Sequence, residues 1–187
     1  MRTNIFKEKY LLFRAKNKDP EAFSSVYDLY VDRIYRFIFF KVNKQEDAQD
    51  LTSEVFLKTW EYINQGKEIS NLNALIYKIA RNLVIDYYRK NVSKEKEISL
   101  EDSQDLLEKE MEVIDQNWQK IDVKIQTEKI EAKLMLLKNE YREVIILRYI
   151  DSLSIDEIAE ILEKKKGAVR VLIFRALNTL RQLMGEE

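Results

Sequence analysis

The chain has 187 residues, 35% charged and 45% hydrophobic, which is room for one domain or two small ones. Its net charge of −1 hides an uneven distribution. The absence of cysteine and histidine excludes disulfides, thiolate nucleophiles, Cys-based zinc sites and the usual imidazole base. With 3 glycines and 1 proline there is little from which to build tight turns or Gly-rich phosphate loops, so an all-α fold is expected. No apolar run approaches the roughly 20 residues of a membrane span, and Met1 to Lys18 has no signal-peptide core, so a cytoplasmic protein is expected.

In chain order, a short helix is expected over roughly Ile5 to Ala15. Asp19-Pro20 then opens a helix whose apolar residues Phe23, Val26, Tyr27, Tyr30, Ile34, Phe37 and Ile38 recur every three or four positions. Lys41 to Glu46 reads as a polar break. A second pattern runs through Ala48, Leu51, Val55, Phe56, Trp60 and Ile63, and Asn64 to Asn71 reads as a loop. A third pattern, Leu72, Leu75, Ile76, Ile79, Leu83 and Tyr87, completes a helical domain over residues 1–90, with Leu75, Ile79, Leu83 and Tyr87 as its core-facing stripe. From Asn91 to about Gln116 the chain is polar and acidic and reads as a flexible tether within a linker over 91–124. The second helical domain, 125–187, begins at the end of a stretch with apolar residues at Trp118, Ile121 and Ile125. It holds helices over about Ile125–Leu137, Tyr141–Ile150, Asp156–Leu162 and Gly167–Met184.

Charge follows these divisions. Residues 1–90 hold 16 Lys/Arg against 12 Asp/Glu, a net of +4; residues 91–132 hold 6 against 12, a net of −6; residues 133–187 hold 10 against 9. Charge alone does not separate contact with a polyanion at two places from three solvated faces.

The last two helices are more specific. Ser154 with Glu157 three positions on is a capping-box signature for the shorter one. It turns Ile158, Ala159 and Leu162 inward, and the joint Glu163 to Lys166 leads to a longer helix with an apolar face at Val169, Ile173, Ala176, Leu177 and Leu180. That is the layout of a helix-turn-helix. Lys164, Lys165 and Lys166 are placed to clamp phosphates, and Arg170, outside the apolar face, is placed to read guanine.

Leu147-Arg148-Tyr149 through Glu157-Ile158-Ala159-Glu160-Ile161-Leu162, then Gly167-Ala168-Val169-Arg170 and Phe174-Arg175-Ala176, resemble the promoter-binding C-terminal domain of extracytoplasmic-function (ECF) sigma factors. Asp47-Ala48-Gln49-Asp50-Leu51 with Glu54-Val55-Phe56 is similar to that family's polymerase-binding helix. Leu75 to Leu83, with Asp86 and Arg89, is similar to its promoter-melting helix. The matched blocks fall in family order over roughly residues 20–90 and 130–184.

The resemblance implies a non-enzymatic subunit that directs RNA polymerase core to promoter DNA, with no cofactor, metal or small-molecule substrate. Asp47, Asp50 and Glu54 would form a stripe docking on a basic coiled coil of the polymerase, with Leu51, Val55 and Phe56 adding apolar contact or core. Lys78, Arg81, Asn82, Asp86 and Arg89 would face the −10 element, Asn82 reading a base and Asp86 holding Arg89. The loop Gln65–Asn71 would receive the unstacked base. Lys164, Lys165, Lys166, Arg170, Phe174 and Arg175 would meet the −35 element. Glu163 and Lys165 stand where the family usually has a turn glycine and a serine cap. Val171-Leu172 replaces a Ser-Arg pair on the expected DNA face, and Leu137-Lys138 a Leu-Pro. A membrane-linked anti-sigma factor is the regulatory partner the resemblance suggests. Two other readings compete: a helix-turn-helix regulator that works without polymerase, and a hydrolase with Asp47 and Asp50 on a metal ion, for which no third ligand is evident.

Overall fold

The computed structural model describes residues 2–17, 19–91 and 127–185, with side chains over 8–17, 19–90 and 132–185. The acidic tether and the apolar positions Trp118, Ile121 and Ile125 lie outside the described residues, save the backbone of Asn91. The chain divides into two compact units, Met1–Glu95 and Lys96–Glu187, and every regular element among the described residues is helical.

The first unit holds α1 (Arg2–Lys16), α2 (Pro20–Val42), α3 (Gln45–Asn64) and α4 (Leu72–Asn91). α1 packs on α2, and α2, α3 and α4 pack on one another. Asp19 starts α2 as expected: its Oδ1 accepts the Glu21 and Ala22 amides at 3.0 and 3.3 Å, while Pro20 occupies a position where no helical amide bond is lost. Arg14, at the end of α1, grips the same carboxylate through Nε and Nη2 at 2.7 and 2.6 Å and so holds the turn between the two helices. Tyr30, Ile34, Phe37 and Ile38 of α2 are fully buried with Val55 of α3 and Ile76 and Tyr77 of α4; the Phe37 and Tyr77 rings meet edge-on at 5.4 Å. Each such aliphatic or phenylalanine side chain contributes about 1.5–3 kcal/mol of burial.

Two expectations are corrected here. The break after α2 begins later than Lys41, because Lys41 and Val42 are helical and buried; the Lys41 ammonium lies 5.3 Å from the Phe37 ring centroid and its stem covers apolar surface. The chain turns at Asn43, which takes the left-handed conformation (φ 54°) that asparagine tolerates. The buried stripe of α4 is also shifted by about one residue. Asn73, Ile76, Tyr77, Ala80, Leu83 and Val84 are buried, whereas Leu75 and Ile79 are only half-buried. One residue is 100° around a helix, so Leu75 lies on, and Ile79 beside, the outward face that carries Asn82.

Adjacent phenols tie down the last turns of α4. Tyr87 donates to Asp47 Oδ2 of α3 at 2.5 Å, and Tyr88 donates to the Lys41 carbonyl, one of the last carbonyls of α2 that its own helix cannot satisfy. The Tyr87 phenol is pushed up to about 12, first by that hydrogen bond, then by partial burial and the carboxylate's charge.

The second unit contains α5 (Thr127–Leu136), α6 (Asn139–Ile145) running into a π-helical turn over Ile146–Ile150, α7 (Ile155–Leu162) and α8 (Lys166–Met184). The helix expected over Tyr141–Ile150 thus widens in its second half, and the Asp151 amide closes on the Ile146 carbonyl at 2.9 Å. Arg142 closes the end of α5 by donating to the carbonyls of Leu134, Met135 and Leu137 at 2.9, 2.7 and 3.0 Å. The capping box is formed: Ser154 Oγ accepts the Glu157 amide at 3.2 Å, and Glu157 Oε2 accepts the Ser154 amide at 2.9 Å. Ile158, Ala159, Ile161 and Leu162 are buried, as are Val169, Ile173, Ala176, Leu177 and Leu180 of α8. α7 ends at Glu163 in the left-handed conformation (φ 56°), with the Ala159 carbonyl accepting from both Glu163 and Lys164.

Glu163→Gly should therefore stabilise the second unit by about 0.5–1 kcal/mol in urea denaturation, the left-handed penalty for a side chain exceeding glycine's extra entropy. A second outcome concerns pH. The Tyr87 phenol ionises later folded than unfolded, so its contribution to stability is complete below about pH 10 and is lost as pH rises through about 12. Urea midpoints of the protein and of Tyr87→Phe, compared across that window, should converge as pH rises.

Candidate polymerase and nucleic-acid interfaces

Burial decides which side chains of α3 can meet a partner. Leu51, Val55 and Phe56 are core residues, with Val55 fully inaccessible, so the apolar contact with polymerase left open for them is corrected to packing within the unit. Their inward turn leaves Asp50 and Glu54 exposed on the opposite side, Glu54 Oε1 lying 3.4 Å from the Lys58 ammonium. Asp47 is different. It is half-buried, accepts the Tyr87 hydroxyl and lies 3.8 Å from the Lys44 ammonium. Leu57, 58% exposed on the same stripe, was not singled out by periodicity, because a lone apolar residue among acids carries no periodic signal.

On α4, Asn82, Asp86 and Arg89 are exposed and lie within one outward arc, with Lys78 half-buried beside them. Arg81 is half-buried on the flank of the helix rather than on that arc. Asp86 pairs with Arg89 at 3.4 Å, an exposed contact worth about 0–1 kcal/mol that orients the guanidinium without neutralising the face. In the loop before α4, Gln65, Gly66, Lys67, Glu68 and Ser70 are exposed, and the Lys67 ammonium sits 5.1 Å from the Tyr62 ring centroid. Asn71 is committed to capping, its Oδ1 accepting the Ala74 amide at 3.1 Å.

In the second unit, Lys164, Lys165, Lys166 and Arg170 are exposed where α7 meets α8, while Phe174 and Arg175 are half-buried. Lys166 pairs with Asp156 of α7 at 2.9 Å, so one of the lysines is already shared with an acid of this chain. Lys165 occupies the cap position of α8 without a side-chain cap bond, and no acid lies in that helix's first turn. Uncapped amides and clustered cations together favour an anion at this end. Val171, expected on the DNA face, is instead buried, and Leu172 is half-buried.

Among the described residues, no group of three or more Asp or Glu could hold a metal ion, and Asp47 spends its carboxylate on Tyr87. No helix among them is long and apolar enough to cross a membrane.

Known proteins share this arrangement. Residues 26–93 match the family model for sigma-70 region 2, and residues 127–180 that for sigma-70, region 4. The chain is 30% identical over 181 residues to the ECF RNA polymerase sigma factor BldN of Streptomyces coelicolor, covering 95% of this chain and 66% of BldN. It is also 30% identical over 175 residues to the ECF RNA polymerase sigma factor SigW of Bacillus subtilis, covering 90% of this chain and 92% of SigW. Two solved structures share the fold. CnrH, in complex with the cytosolic domain of CnrY, has a TM-score of 0.70 at 18% identity and covers 97% of this chain and 99% of its own. The sigma factor RpoE, in complex with the anti-sigma factor NepR from Bartonella quintana, has a TM-score of 0.64 at 20% identity, covering 87% and 96%. Two sigma-70 blocks in this order, in a chain that aligns with most of SigW, mean that it belongs to the ECF sigma factors, subunits that bind RNA polymerase core and direct it to promoters.

Proposed function

We propose that residues 1–90 and 125–187 divide the work of promoter selection, with the segment 91–124 as the tether between them. In the first domain, Asp50 and Glu54 of α3 meet a basic surface of the polymerase. The outward arc of α4, with Lys78, Asn82 and Arg89 and with Arg81 and Asp86 at its margins, meets the −10 element. The loop Gln65–Asn71 receives the unstacked base, at an unpairing cost of a few kcal/mol. In the second domain, Arg170 reads a base edge of the −35 element beside Phe174 and Arg175, while Lys164, Lys165 and Lys166 hold phosphates. The observation that carries this division is that one small core exposes an acidic stripe on α3 and a polar, cation-bearing arc on α4. A polymerase-independent regulator would have no use for the stripe.

The protein has no chemistry of its own in this reading; bond formation belongs to the polymerase. It acts in the cytoplasm, where polymerase and promoter meet. Its regulator is an anti-sigma factor, by analogy with RpoE, solved with the anti-sigma factor NepR, and the membrane link follows the analogy with CnrH, solved with the cytosolic domain of CnrY. Crosslinking in cells followed by recovery of only free protein would overturn that regulation.

Run-off transcription with purified core polymerase on randomised promoter DNA tests the function directly. Asp50→Arg should weaken core binding about tenfold or more while leaving duplex DNA binding unchanged, since like charges now face each other across the interface. Arg170→Ala should keep core binding and lose about 1–3 kcal/mol of discrimination at one −35 position. Intact core binding by Asp50→Arg would reject the α3 assignment.

A further inference from the structure

Asp47 belongs by spacing to the acidic stripe of α3, yet its carboxylate faces inward to α4. Tyr87 reaches it across 40 positions of sequence with an O–H···O distance of 2.5 Å, and the neighbouring Tyr88 bonds the Lys41 carbonyl of α2. These two phenols hold the last turn of α4, the turn that bears Arg89 and follows Asp86 directly. A terminal turn frays unless something anchors it, and the direction of Arg89 depends on that turn being formed.

We infer that Asp47 and Tyr87 form a positioning pair for the DNA-facing arc of α4, and that Asp47 is not itself a polymerase contact. The inference rests on the proposed assignment of that arc to the −10 element. Positioning here requires a hydrogen-bond acceptor at residue 47, not a negative charge. Docking on a basic polymerase surface would require the charge. Asparagine separates the two, because it keeps the acceptor oxygen and drops the charge.

The experiment uses full-length protein and core polymerase. Holoenzyme affinity is measured by fluorescence anisotropy, and promoter opening at saturating holoenzyme by 2-aminopurine emission from the −10 element. Asp47→Asn should stay within about twofold of the unaltered protein in both measurements, whereas Asp50→Asn should weaken core binding. Tyr87→Phe, which removes one hydroxyl and keeps the ring, and Asp47→Ala should each slow opening about three- to tenfold with core affinity unchanged. The double variant should be no slower than either alone, because both substitutions break the same bond. Core binding weakened in Asp47→Asn as much as in Asp50→Asn would overturn the inference. So would normal opening by Tyr87→Phe in a preparation where Asn82→Ala opens poorly. Normal opening by both Tyr87→Phe and Asn82→Ala would overturn the −10 assignment of α4 as well.

Discussion

Each helix of a small bundle has one side to bury and one to use, and close packing ties the second to the first. In the first unit, Tyr30, Phe37, Val55, Ile76 and Tyr77 fill an interior that tolerates little change of volume. A rotation of α4 by one residue would carry Tyr77 out of that interior and away from the Phe37 ring, a loss of packing the unit could not offset. The buried face therefore determines that Asn82, Asp86 and Arg89 point outward, and the inward turn of Leu51, Val55 and Phe56 does the same for Asp50 and Glu54. The surfaces proposed to meet polymerase and promoter are thus products of one hydrophobic arrangement, and the Tyr87–Asp47 bond adds a polar tie between the helices that bear them.

The second unit distributes its stability differently. α7 is well terminated at its start, with the Ser154–Glu157 capping box complete, and Arg142 satisfies three carbonyls around the end of α5. The joint into α8 is the weak point. Glu163 sits in a left-handed conformation that glycine occupies at lower cost, and Lys165 leaves the first amides of α8 without a side-chain cap. Local rules broken in one place, beside a run of cations, are what a site completed by a ligand looks like. Phosphate has the charge and the acceptor oxygens that the uncapped start of α8 lacks.

Some parts were plain in the residues. Asp19-Pro20, the capping box, the helix-turn-helix spacing and the general order of helices all rest on interactions between positions a few residues apart, which periodicity and cap chemistry report directly. The phase of α4 was not plain. Leu75, Ile79, Leu83 and Tyr87 make one acceptable apolar stripe and Ile76, Ala80, Leu83 and Val84 another, and the two overlap. Only the presence of Phe37 opposite Tyr77 selects between them.

The amino-acid order alone determined the helical class, the two-part organisation and the placement of acids on α3 and cations around α8, because these follow from composition and short-range spacing. Tertiary structure alone decided that Leu51, Val55 and Phe56 are core, that Arg81 lies to the side of the outward arc, that Val171 is buried, and that Asp47 serves Tyr87. Each of those outcomes depends on what a distant helix brings to the residue. Helical spacing says which side chains share a face and is silent on what that face meets.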